Sequence, residues 1–278
     1  MTQSIHIGPL VVPLILLLLV GAVAFGAFIG KRVGRKTGAD IESSLFRGLL
    51  VALACARLAF VWQYHTAYFS APLDILDIRD GGWEPQVGFI AAWLYVLVLT
   101  RRRPLMRKPM LAAMTAASIF WIAGLTTLAL QPQGERGLPA MTLPTVEGRS
   151  VSLPEFVGKP TVLNLWATWC PPCQREMPVL QQAQAEHPEL NFVFLNQGES
   201  ADQVRAFLAA RSLKLRHVLL DPKGLAGSQF GQQALPTTLF FDARGHLVDT
   251  RIGGLSQATL AQRLDSLSDQ STSSRKNP

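Results

Sequence analysis

Four long apolar runs fill most of the first 130 residues, and they restrict the fold of this chain more than any other feature. In hydrocarbon each backbone N–H and C=O must find its partner inside its own segment, so each run has to be a helix. The runs are LVVPLILLLLVGAVAFGAFIG (residues 10–30), LFRGLLVALACARLAFVWQY (45–64), the shorter stretch from Trp83 to Thr100, and MLAAMTAASIFWIAGLTTLAL (110–130). A cleaved export signal needs basic residues ahead of its apolar core. Met1 to Pro9 hold none, and Lys31 and Arg32 follow the first run, so that run is expected to stay in the membrane with its N-terminus outside.

The loops between the runs set the expected orientation. Lys31, Arg32, Arg35 and Lys36 lie in the 31–44 loop, and RRRPLMRKP at 101–109 is basic as well. The loop between those two, 65–84, carries Asp74, Asp77, Asp80 and Glu84 against Arg79. Basic loops stay in the cytoplasm, so four crossings return the chain to the outer side by residue 131. The net charge of +7 belongs to this half: residues 1–130 hold 12 Lys/Arg and 6 Asp/Glu, and residues 131–278 hold 14 and 13. Basic residues confined to short loops do not make the basic face that nucleic-acid binding requires, and no nucleic-acid partner is expected.

Two residues inside the runs stand out. Arg57 is an ionisable group at membrane depth, which reads either as functional or as a helix-end arginine that snorkels or pairs with an acidic loop residue. Cys55 reads as a small packing residue. Three cysteines are too few for a disulfide scaffold. With a single thiol, the membrane half cannot relay electrons by dithiol exchange. Residues 48–88 resemble part of the prolipoprotein diacylglyceryl transferase family through GLLVALACARLAF, PLDILDIRDGG and VGFIAA. That family carries an essential histidine after its Gly-Gly; Gln86 stands in its place here. The resemblance therefore implies a shortened relative without transferase activity, while contact with membrane lipid remains open.

The second half reads differently. Residues 131–138 form a Pro/Gly/polar linker, followed by two short extended runs around Glu147-Gly148 that predict a hairpin. TVLNLWA predicts a buried strand, CQREMPVLQQAQAEHP a helix with a bend near Pro178, NFVFLN a strand and ADQVRAFLAARS a helix. HVLLD is a further strand, TTLFFDARGHLVDTRIG a hairpin turning at Ala243-Arg244-Gly245, and SQATLAQRLDSL a closing helix. Alternating strands and helices followed by a hairpin and helix predict an α/β domain on a mixed sheet. The tail 269–278 predicts disorder.

Cys170 and Cys173 lie three apart where the first buried strand gives way to a helix. Free N–H groups and partial positive charge at a helix N-terminus stabilise a thiolate. Cys170 is therefore the expected nucleophile, and Cys173, one turn on, can resolve a mixed disulfide. Pro171 and Pro172 suit a first helical turn. Zinc would need two more ligands, and covalent haem a histidine where Gln174 stands; neither metal nor cofactor is expected. A purely structural disulfide is the other reading of the pair. Trp166 and Trp169 read as packing and rim residues, and His187, His217 and His246 as surface residues without evident partners.

Residues 138–268 resemble the TlpA/ResA family of membrane-tethered thioredoxin-like proteins. The likeness runs through GKPTVLNLWATWCPPCQREMP, ALPTTLFFDARGHLV and the LP…TLPTVEGRSVSL entry to the domain. It implies that Pro236 is a cis-proline beside the cysteines, that Leu235, Thr237 and Trp169 meet a substrate peptide, and that Glu176 handles protons near the active site. The expectation is thus four transmembrane helices (1–130), the linker, and an α/β thioredoxin-like domain (139–268). The whole is a multi-pass protein of a bacterial inner membrane that reduces protein disulfides on the extracytoplasmic side. Electrons would come from a separate membrane donor of the DsbD/CcdA kind. Two alternatives stay open: a thiol oxidase, and a lipid-binding or lipid-modifying membrane protein with an accessory thioredoxin domain.

Overall fold

The computed structural model describes residues 4–7, 10–35, 41–69, 75–76, 80–130, 137–232 and 234–275, with side chains between residues 14 and 267. It divides into two compact units: residues 3–70 with 82–132, and residues 71–81 with 133–278.

In the first unit, strands β1 (Ser4–Ile7) and β2 (Leu10–Pro13) pair antiparallel ahead of helix α1 (Leu14–Gly34). Helices α2 (Ile41–Gln63), α3 (His65–Phe69), α4 (Pro85–Arg102) and α5 (Arg107–Leu130) follow. The first apolar run was expected to be helical from residue 10; it becomes helical only at Leu14, because a residue before proline, here Val12, is pushed out of the helical region. Packing between the helices uses small residues. Ala22, Gly26, Gly30 and Gly34 are buried at every fourth position of α1. A Cβ at Gly26 would lie 2.7 Å from the carbonyl oxygen of Ala113 and 2.9 Å from the Ala117 Cβ on α5. Such stripes let helix backbones approach closely where apolar lipid provides no hydrophobic drive for association.

Among the described residues, three helical segments, Leu14–Gly34, Ile41–Gln63 and Pro104–Leu130, are long and apolar enough to cross a membrane, where four were expected. The remaining run is helical, as α4, but Pro85, Gln86, Arg101 and Arg102 at its ends dilute its apolarity.

The second unit is built on a five-stranded sheet of order β7-β6-β5-β8-β9. Its elements are β3 (Thr142–Pro144), β4 (Ser150–Ser152), β5 (Thr161–Trp166), α6 (Pro171–Glu186), β6 (Asn191–Gln197), α7 (Ala201–Ala210) and β7 (Val218–Asp221). Helix α8 (Leu225–Gln229), β8 (Thr237–Phe241), β9 (Leu247–Ile252) and α9 (Gln257–Arg275) complete it. Strands β5, β6 and β7 run parallel; β8 is antiparallel to β5 and to β9. The β3–β4 hairpin forms as expected and lies along β7 through the Thr145–Leu219 bridge.

Strand β5 is buried on both faces, as a central strand covered on each side must be. Its alternation sorts the core. Val162 and Trp166 join Met177, Leu180, Phe192 and Phe194 on one side; Leu163 and Leu165 join Val193, Leu195, Leu239 and Phe241 on the other. Asn164 therefore faces the α6 side. Helix α6 remains one helix through Pro178. It buries Cys173, Glu176, Met177, Leu180, Ala183 and Gln184, the one-sided stripe of an amphipathic helix. The segment expected to be a disordered tail instead continues α9 as far as Arg275. No proline or glycine interrupts residues 268–275, and extending a formed helix is far easier than nucleating one.

Candidate functional site

Strand β5 ends at Trp166, whose ring lies 5.5 Å from that of Phe207 on α7. Four residues later Cys170 becomes the N-cap of the 16-residue α6, and its sulfur accepts the Cys173 N–H at 3.3 Å. The two cysteines are joined, with sulfurs 2.09 Å and Cα atoms 5.3 Å apart, and both are buried. Pro171 and Pro172 fill the first helical turn, where a missing N–H leaves no intrahelical bond unmade.

The approach to Cys170 is pinned from two sides. Buried Glu199 accepts the Thr168 N–H at 2.7 Å, the Thr168 hydroxyl, and the Asn196 amide at 2.7 Å. From the other side the Gln174 amide donates to the Thr168 carbonyl at 2.6 Å and accepts from Arg211 at 2.5 Å. Trp169, between these anchors and Cys170, is 67% exposed, a rim position.

Beneath the cysteines lies a buried polar cluster. Glu176, in the second turn of α6, is 1% exposed. Its Oε1 accepts from Asn164 Nδ2 at 2.8 Å and its Oε2 from the Leu255 N–H at 3.0 Å. Asn164 Nδ2 also donates to Thr238 Oγ1 at 3.0 Å, a pairing made by the register of β5 and β8. Burial pushes the Glu176 carboxyl up from 4.5 to about 7, against the pull of Asn164, the Leu255 N–H and the Arg251 charge. Loss of water is the larger effect, because it penalises only the ionised form.

The Leu235–Pro236 bond is cis. Pro236 is buried, and its carbonyl accepts the Gly253 N–H at 2.9 Å. Leu235 is half-buried. Thr237, expected to meet substrate, is fully buried and donates its hydroxyl to the Ala234 carbonyl at 2.7 Å, so its side chain faces inward. Among the described residues no three His, Cys, Asp or Glu side chains gather as a metal site.

The remaining expectations find definite places. Arg57 is buried in the first unit, donates to the Gly82 carbonyl at 2.7 Å and lies within 6.0 Å of the Phe60, Tyr68 and Trp83 rings. Gln86 is exposed and Cys55 half-buried. Two histidines expected to lack partners have them: His187 lies 3.0 Å from Glu189 and His246 3.6 Å from Asp242. His217 is exposed, with Phe156 edge-on to its ring.

Asn164, Glu199 and Arg251 escaped the sequence reading. A polar residue inside the apolar TVLNLWA run was the available signal for Asn164; Glu199 and Arg251 had none, since Thr168 lies 31 residues from Glu199 and Asp80 lies 171 from Arg251.

Comparison with known proteins matches residues 135–250 to the AhpC/TSA family and residues 3–128 to the prolipoprotein diacylglyceryl transferase family. The thioredoxin-like protein YneN of Bacillus subtilis is 34% identical over 131 residues, 46% of this chain and 76% of its own. The thiol-disulfide oxidoreductase ResA of Halalkalibacterium halodurans is 30% identical over 170 residues, 59% of this chain and 95% of its own. The thiol:disulfide interchange protein CycY of Rhizobium leguminosarum is 30% identical over 140 residues, 49% of this chain and 72% of its own.

Proposed function

This chain belongs to the ResA-type family of thiol-disulfide oxidoreductases, and from that premise we propose that it reduces protein disulfides on the outer side of a bacterial inner membrane through Cys170 and Cys173. The observation that carries this reading is the sulfur of Cys170 at the α6 N-cap, receiving the Cys173 N–H, with Glu176 buried one turn further on.

In the reduced protein the Cys170 thiolate attacks one sulfur of a substrate disulfide. The substrate S–S bond breaks, its second sulfur leaves as a thiolate that takes a proton, and Cys170 is left in a mixed disulfide. Cys173 then gives up its proton and attacks the Cys170 sulfur. The second substrate thiolate departs, and the Cys170–Cys173 bond forms. Two electrons have passed from the dithiol to the substrate. Glu176 is the acceptor for the Cys173 proton. A carboxyl that titrates at about 7 can both take and return a proton near neutrality. Leu235 and Trp169 offer the substrate-facing backbone and rim, with Pro236 beside the cysteines.

The next cycle requires reduction of the pair by an outside dithiol. The membrane half holds Cys55 alone, so the donor is a separate membrane protein of the DsbD/CcdA kind. For sidedness, α4 at 1.5 Å per residue is about 27 Å long, close to a hydrocarbon core of about 30 Å. A crossing by α4 keeps both basic loops on the cytoplasmic side. The membership of residues 71–81 and 133–278 in one compact unit supports the same even count. The match of residues 3–128 to the transferase family supports a lipid-contacting role for that region.

The deciding experiment is acid-quenched thiol alkylation of the protein in its native host. A mostly reduced pair that becomes oxidised when the membrane donors are deleted supports the reading. A pair that stays reduced without any donor refutes the donor, and a pair oxidised despite active donors makes the protein an oxidase.

A further inference from the structure

Asp80 comes from the acidic loop of the first half of the sequence, yet it belongs to the compact unit that holds the cysteines, and it is buried there. Its carbonyl accepts from Arg251 Nη2 at 2.7 Å, and its Oδ2 accepts from Ser256 Oγ at 3.2 Å. Gly81 follows at φ +70°, and a Cβ there would stand 2.5 Å from Arg251 Nη1. The guanidinium thus rests on the backbone at Gly81, where a side chain would have no room.

Four consecutive residues after β9 form one wall of the redox site. The Gly253 N–H donates to the Pro236 carbonyl, the Leu255 N–H donates to Glu176 and the Ser256 hydroxyl donates to Asp80, while a Cβ on Gly254 would stand 3.9 Å from the Pro172 Cβ. Two of the three hydrogen-bond partners are redox-site residues. Asp80 is the third. Arg251 itself lies at the centre of the local charge: Glu176 and Asp80 act on it, and so do Asp249 and the Arg263 that pairs with Asp249. From the sheet, Glu176 is faced by the neutral Asn164 and, behind it, Thr238; Cys173 lies on its own helix.

We propose that the Asp80–Gly81 segment is a working part of the redox site: it seats Arg251 and anchors the 253–256 wall that donates to Glu176, which makes Asp80 and Arg251 positioning residues for the Glu176 carboxylate. The inference rests on the reading that Glu176 takes the Cys173 proton. It brings residues of the membrane half of the sequence into control of thiol chemistry.

The test is the pH profile of thiol–disulfide exchange between the reduced full-length protein in lipid nanodiscs and glutathione disulfide. Arg251→Gln removes a cation whose charge lowers the Glu176 carboxyl, so the Glu176-dependent midpoint should rise, and Arg251→Lys should restore it. Asp80→Asn keeps an acceptor for Ser256 but removes a charge of the opposite sign. Its midpoint should fall. A merely structural role would not produce shifts of opposite sign. In a Glu176→Gln background both shifts should vanish. If Glu176→Gln abolishes the midpoint but neither other variant moves it, the proposal is overturned while the Glu176 reading stands. If Glu176→Gln leaves the midpoint in place, both fall. Should Arg251→Gln fail to fold, the sign of the Asp80→Asn shift decides.

Discussion

Replacing Glu176 by glutamine should stabilise the oxidised protein, and the gain should grow with pH. The carboxyl titrates at 4.5 in its ordinary state and at about 7 in the fold, so over that interval the folded state holds a proton that the unfolded chain has released. Stability tied to this group is complete below about pH 4.5 and is lost as the pH rises through 7. A displacement of 2.5 units between the two printed values, at 1.36 kcal/mol per unit, amounts to about 3 kcal/mol above neutrality. Glutamine has the shape of the protonated acid and never ionises. Both present partners of the carboxylate are donors, but Asn164 Oδ1 is buried without a partner. Rotation of that amide would let it accept from the new glutamine, as it would from the protonated acid. The gain of Glu176→Gln over wild type is therefore about 1 kcal/mol at pH 5 and about 3 kcal/mol at pH 8.5. Pulse proteolysis of the oxidised full-length protein in detergent, across a urea series at the two pH values, reads the midpoint of the cysteine-bearing unit. Equal midpoint differences at pH 5 and pH 8.5 would refute the account of a carboxyl held neutral by burial.

Three further outcomes follow from the same structure. Cys173→Ser should accumulate a mixed disulfide between Cys170 and substrate, visible on non-reducing gels, and Cys170→Ser should not; trapping by the second variant would reverse the assigned roles. Phe194→Ala empties a fully buried position on the α6 side of the sheet and should cost about 3–5 kcal/mol, measured by the same urea series. Gly26→Ala would place a methyl 2.7 Å from the Ala113 carbonyl, so α1 and α5 must separate; the yield of monodisperse protein in detergent should fall, whereas Gly148→Ala, with nothing within 4 Å, meets no neighbour and should affect folding only through its φ of +84°.

Periodicity carried most of the fold. The apolar runs, the β5 and β6 strands, the hairpin around Glu147-Gly148 and the β8–β9 hairpin all lie where the pattern puts them. It misjudged the places where neighbours or chain ends decide. Leu10 to Pro13 became a strand, α4 fell short in apolarity at its polar ends, and α9 ran on through the serine-rich tail. Glu176 was named from the family resemblance as a residue that handles protons near the cysteines; that it lies on the buried stripe of α6, away from water, is a finding of the structure.

By itself, then, the sequence determined that the chain has an apolar half and a thioredoxin-like half, and that Cys170 and Cys173 sit at the start of a helix. Those properties depend on residues a few positions apart, where backbone geometry dictates what meets what. Tertiary structure alone decided the surroundings of the cysteines. Asn164 reaches Glu176 from the adjacent strand, Glu199 pins Thr168 from the end of β6, and Leu255 and Ser256 clasp Glu176 and Asp80 across separations of 79 and 176 residues. Burial without water gives a carboxyl its unusual proton affinity, and burial is a property of what packs around the residue once the sheet has closed.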